Sequence, residues 1–173
     1  YVFDRGNWLQ PTKEVKPDVP KSLNSWKPEW GKNRLGFAQW IVDRDNSLTS
    51  RTVVNRIWNQ IFGRGIVSTI EDMGTQSEPP SHPALLDWMS VHLMEDQKWS
   101  LKSLIRSIVL SGTYQQNSTI NENNYQKDPL NIYYSRGTKL RLKAEEVRDQ
   151  ALAISGLLVP KMGGPAVKPP QPK

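Results

Sequence analysis

Three polar side chains, Arg51, Asn55 and Asn59, recur every four residues within one strongly apolar stretch, so a helix there aligns them in a single line. By helical angle Arg51 and Asn55 border the apolar arc and are expected to be partly buried. A partly buried guanidinium needs carboxylate or carbonyl partners, and Asp72, Glu145 and Asp149 are the candidates. Near the C-terminal end, Arg141, Glu145, Arg148 and Asp149 stand at three- and four-residue spacings that suit alternating ion pairs on a helix. His82 precedes a helix start, where an imidazole can meet free backbone N–H groups or a ligand. Arg51, Asn55, Asp72, His82, Glu145, Arg148 and Asp149 therefore form the candidate polar cluster. It reads either as a structural network locking loop 63–80 against the helices or as part of an active site.

Recognisable catalytic spacings are missing. No H-E-x-x-H stretch or Ser-His-Asp pattern accompanies His82, and His92 sits among Leu85, Trp88 and Met89 as a core histidine would. Two histidines and no cysteine leave no metal-site spacing, so no metal is expected. Gly63-Arg64-Gly65 lacks the phosphate-loop pattern and follows a helix where such loops follow a strand. Two tryptophans, Trp26 and Trp30, lie in a Pro- and Lys-rich segment. They are the candidate aromatic binding residues, either as exposed stacking platforms or as clamps of an extended arm.

The elements that must hold these groups are helical. Residues 1–33 carry Pro11, Pro17, Pro20 and Pro28 and read as an extended, mostly irregular arm packed on the body, with a short strand at Tyr1 to Phe3. A first helix is predicted over Arg34 to Val42, with Leu35, Ala38, Ile41 and Val42 inward. A second runs from about Leu48 to Phe62, burying Val53, Val54, Ile57, Trp58, Ile61 and Phe62 before a Gly63 cap. Ser81 then reads as the N-cap of a third helix that buries Leu85, Trp88, Met89 and Leu93. Ser100 caps a fourth, with Leu101, Leu104, Ile105 and Ile108 at helical spacing. A long polar excursion from Gly112 to Lys139, with a helical turn near Pro129, leads to a last helix over about Lys143 to Ser155. The fold class is all-α: a single compact domain of about five helices over 34–162, and a Pro-rich tail or linker over 163–173.

At 173 residues the chain can bury one real core, and no stretch approaches the roughly 18 apolar residues of a membrane span. The net charge is +6, from 23 Lys and Arg against 17 Asp and Glu, but the basic residues are scattered and nucleic acid is an unlikely partner. The first residue is Tyr rather than Met, and the chain reads as a piece of a longer protein.

Short motifs in a fixed order carry a resemblance. They include Val54-Asn55-Arg56 with Trp58, Phe62-Gly63-Arg64-Gly65, Pro80-Ser81-His82-Pro83, Leu85-Leu86-Asp87-Trp88, Thr113-Tyr114, Ala144-Glu145 and Arg148-Asp149. With them the chain resembles the bacterial domain-of-unknown-function family fifteen-fifty-three, found at the C-terminal end of planctomycete-type multidomain proteins that also carry a cytochrome c domain. Three positions depart from the family pattern: Ser47 where proline is usual, Met73 where phenylalanine is common, and Lys98 in place of the usual glycine before Trp99. The resemblance implies an exported, extracytoplasmic parent with haem c in another domain and no cofactor in this chain. It implies no activity.

The expected function is thus a non-catalytic accessory domain that scaffolds neighbouring domains of the parent chain or binds a polysaccharide. The alternatives are an enzyme, or a half-site of a shared active site, built around the polar cluster, and a basic nucleic-acid-binding helical domain.

Overall fold

The computed structural model describes residues 1–164, so most of the Pro-rich tail lies outside the described residues. Seven helices and no strand occur among these residues: α1 (Arg34–Ile41), α2 (Ser47–Phe62), α3 (Pro83–Glu95), α4 (Leu101–Val109), α5 (Gly112–Gln115), α6 (Glu122–Lys127) and α7 (Ala144–Ile154). The all-α expectation holds. The two helices beyond those expected, α5 and α6, are single turns inside the polar excursion. The chain divides into two compact units, Tyr1–Thr138 and Lys139 onward.

The first unit is built on α2 packed against α3. From α2, Val54, Trp58 and Phe62 face inward at the spacing the sequence predicts, and Gly63 closes the helix at φ 74°. Leu86, Met89 and Leu93 of α3 and Leu104 and Ile108 of α4 complete the helical core. Each such side chain contributes roughly 1.5–3 kcal/mol by leaving water. Two loop residues, Ile66 and Val67, are buried with them, and so is Tyr134, whose ring stands 5.3 Å from Trp58 and 5.2 Å from Phe62. Burial pushes the Tyr134 phenol pKa up, so it stays neutral well into the alkaline range.

Several expected faces are rotated. In α3 the inward arc is Leu86-Met89-Ser90-Leu93, and Trp88 is 59 % exposed. Ser90 is tolerated inside because its hydroxyl donates to the Leu86 carbonyl at 2.7 Å. His92 is a surface group rather than a core histidine: its ring stacks on Trp88 at 4.9 Å and its Nδ1 lies 2.6 Å from Asp96 Oδ2. In α1, Gly36 and Trp40 face inward while Leu35, Ala38 and Val42 are exposed. In α4, Leu101 and Ile105 are exposed. The N-cap of α3 is His82, not Ser81.

The arm makes no strand. Phe3 and Pro11 form an isolated antiparallel bridge around a 3-10 turn at Asp4–Gly6. Farther along, the arm is stapled down. Trp40 Nε1–H donates to the Asn24 carbonyl at 2.8 Å, Asn24 Nδ2 returns a bond to the Trp40 carbonyl at 3.2 Å, and Lys27 meets Asp43 at 2.6 Å. Gly36 completes the fit, since a Cβ there would sit 2.0 Å from the Gly31 carbonyl oxygen and 2.9 Å from the Trp26 ring. The second unit holds α7, opened by a bond from the Lys143 N–H to Glu146 Oε2 at 2.8 Å. None of its residues is buried.

Candidate functional site

Within the first unit the side chains of the polar cluster, Arg51, Asn55, Asp72 and His82, each bond to other partners rather than to one another. Arg51 pairs with Asp87 of α3, its Nη2 2.7 Å and its Nε 2.8 Å from the same carboxylate oxygen. Within the first unit Asp87 thus takes the place offered to Asp72. Asp72 is exposed and its Oδ1 accepts the Gly74 N–H at 2.7 Å, which closes a local turn. On α7, Arg148 Nη1 pairs with the adjacent Asp149 at 3.1 Å, and both of these side chains and Glu145 are exposed to solvent.

Asn55 is fully buried and structural. Its Nδ2 donates to the Val67 carbonyl at 3.0 Å, and its Oδ1 accepts the Val67 N–H at 2.9 Å. The side-chain amide therefore replaces a strand partner for a loop residue that has none. Gly65 makes the approach possible, because a Cβ there would lie 2.4 Å from the Val67 oxygen and 2.8 Å from Asn55 Oδ1.

His82 has a serine beside it, Ser81. Ser81 donates its hydroxyl hydrogen to the Ile66 carbonyl at 3.2 Å, and the His82 Nδ1 lies 3.0 Å from the same hydroxyl oxygen. The ring packs on Tyr134 at 5.5 Å and Tyr133 at 6.1 Å. Among the described residues no group of three or more His, Asp or Glu is placed to hold a metal ion.

A groove of about 530 Å³ lies instead between the arm and the start of α1. It is lined by Pro17, Asp18 and Val19 from the arm, by Trp26, and by Lys32, Asn33, Arg34 and Phe37. The local sequence dictates this arrangement. Asn33 caps α1 by accepting the Gly36 N–H on Oδ1 at 3.0 Å, which sets Lys32 and Arg34 on either side of the cap. One turn on, Phe37 stacks on the anchored Trp40 at 5.6 Å and 13°, leaving its other side half exposed. Trp26 is held by its Nε1–H, which donates to the Trp30 carbonyl at 3.0 Å, and by Trp30 edge-on at 5.9 Å. Trp30 itself lies under the Lys27 ammonium, 5.2 Å from the ring centroid. Trp26 thus lies against Gly36 of α1 and lines the groove, while Trp30 packs on Trp26 within the arm.

Phe37, Lys32 and Arg34 were not apparent as site residues. The Asn33 cap three residues before Gly36 was their one local signal. A separate furrow, made wholly of α4 residues including Lys102 and Arg106, is surface relief along one helix.

Compared with known proteins, a family model described as "PSD1: Protein of unknown function (DUF1553)" matches residues 33–173. No curated protein and no solved structure matches the chain.

Proposed function

The chain belongs to the DUF1553 family, and on that premise we propose that it is a non-catalytic accessory domain of an exported multidomain protein, holding a carbohydrate polymer in the groove beside Trp26 and Phe37. The groove carries the reading. It combines two aromatic surfaces, whose faces suit the apolar C–H sides of sugar rings, with a few polar groups able to bond hydroxyls. Trp26 and Phe37 are each fixed by a neighbouring tryptophan, so stacking a ligand on them costs little side-chain entropy. The extracytoplasmic parent and its cytochrome c domain enter from the family resemblance. This chain, having no cysteine, has no thioether attachment point for haem c.

The test is a tryptophan-fluorescence titration of the domain against neutral and acidic glycans, in the native chain and in Phe37→Ala. A saturable change with at least one glycan, lost in Phe37→Ala at unchanged melting temperature, is the expected result. Silence across the panel counts against carbohydrate binding.

Scaffolding has its own observation. On α7 and just after it, Val147, Ile154, Leu157 and Val159 are all exposed, Ile154 by 82 %. A neighbouring domain of the parent would cover that apolar surface. Hydrogen exchange of α7 in the parent and in this chain tests it: protection gained in the parent supports scaffolding, and equal exchange opposes it.

A further inference from the structure

Resting on the carbohydrate reading, we infer that the groove selects an anionic glycan, with Lys32 and Arg34 meeting its carboxylate or sulfate groups while Trp26 and Phe37 take the sugar faces. Both cations line the groove and both are exposed. Five other cations of the first unit, Lys27, Arg44, Arg51, Arg56 and Arg64, are paired with carboxylates, while others such as Lys102 and Arg106 are not. Among the described residues Lys32 and Arg34 have no such pair. Asp18 is the one carboxylate in the lining, and its Oδ1 accepts the Val19 N–H at 2.9 Å. The first turn of α1 holds no acidic residue either, although that is where acids are favoured. Two cations against one carboxylate leave the groove net positive. A neutral polymer seated there offers the two charges only hydroxyl oxygens, whereas a uronate or sulfated sugar supplies the missing opposite charge.

The experiment compares matched polymers that differ only in charge. Polygalacturonate is titrated beside its fully methyl-esterified form, and dextran sulfate beside dextran, with duplex DNA as a polyanion that is not a saccharide. We expect at least one charged polymer to bind about tenfold more tightly than its neutral match, weakening as salt rises from about 50 to about 200 mM. Polygalacturonate alone would identify the carboxylate and dextran sulfate alone the sulfate; either supports the inference. In Lys32→Gln/Arg34→Gln the preference should vanish at unchanged melting temperature. The same charge change on α4, Lys102→Gln/Arg106→Gln, should leave it intact.

Equal affinity for charged and neutral partners overturns the inference and leaves the carbohydrate reading standing. No binding by any glycan overturns both. DNA bound as tightly as the best glycan, or an equal loss in the α4 variant, would show a general polyanion surface and also overturns it.

Discussion

Asn55→Ala isolates what the most conspicuous polar side chain of α2 does. In the native chain its amide makes two bonds to Val67, at 3.0 and 2.9 Å, and the Asn55 side chain is fully shielded from water. Truncation leaves a buried N–H and a buried C=O without partners. At about 1–3 kcal/mol for each orphaned group, the loss is about 2–6 kcal/mol. That is a large share of the roughly 5–15 kcal/mol available to a domain, so the 63–82 loop should open and Ile66 and Val67 should lose their burial. Asn55→Asp should be no better, since it keeps the acceptor for the Val67 N–H but turns a carboxylate toward the Val67 carbonyl. Urea denaturation followed by tryptophan fluorescence gives the change in free energy, and hydrogen exchange at Val67 localises it. A loss below about 1 kcal/mol, with Val67 still protected, would refute the clamp and return Asn55 to the candidates for ligand contact.

Three other substitutions probe separate parts of the structure. Lys98 has φ +48°, a left-handed conformation that costs a side-chain-bearing residue roughly 1–2 kcal/mol, so Lys98→Gly should raise stability by about 0.5–1 kcal/mol after glycine's extra unfolded entropy, read by urea denaturation. Gly36→Ala should destabilise by about 1–3 kcal/mol, detach the arm and shift the Trp26 indole N–H resonance, because the new methyl meets the Gly31 carbonyl and the Trp26 ring. Burial alone would raise the Asp43 carboxyl pKa, but the Lys27 ammonium and the Asp45 N–H overcome it and hold the value below 3.8. A depressed carboxyl stabilises the fold above its unfolded pKa and stops doing so as pH falls through the folded one. The stability gap between the native chain and Asp43→Asn should therefore be constant above about pH 5 and shrink below about pH 4, measured by thermal melts across that range.

Much of the architecture was legible because it rests on local periodicity. The Val54-Trp58-Phe62 arc and the Ser100 cap, which accepts the Ser103 N–H at 3.3 Å, follow from spacing and residue type alone. The phase of α3 was only partly legible: Met89 and Leu93 are buried as expected and Leu85 packs partly on the core, but Trp88 is exposed. Leu85-Trp88-Met89-Leu93 and Leu86-Met89-Ser90-Leu93 both satisfy a helical period, and the packed core contains the second. Ile66 and Val67 escaped for a different reason: a buried loop has no period, and its burial depends on one side chain from a distant helix. The same holds for the groove. Its aromatic surface exists because Trp40 reaches back to Asn24 and Gly36 admits Gly31, both contacts set by tertiary structure. Asn46 is the α2 N-cap, accepting the Leu48 and Thr49 N–H groups at 3.2 Å each, a role that its place just before the expected helix start allows.

A two-dimensional ¹H–¹⁵N NMR titration with an oligomer of the glycan bound most tightly in the fluorescence panel tests the groove most directly, because it reports a site as well as an affinity. The expected result is a saturable set of shifts confined to residues 18–19 and 32–37 and to the Trp26 indole N–H, with the amides of Arg51, Asn55 and His82 unmoved. Shifts centred on Arg51 and His82, or none at ligand concentrations well above those of the fluorescence titration, would contradict a carbohydrate site beside Trp26 and Phe37.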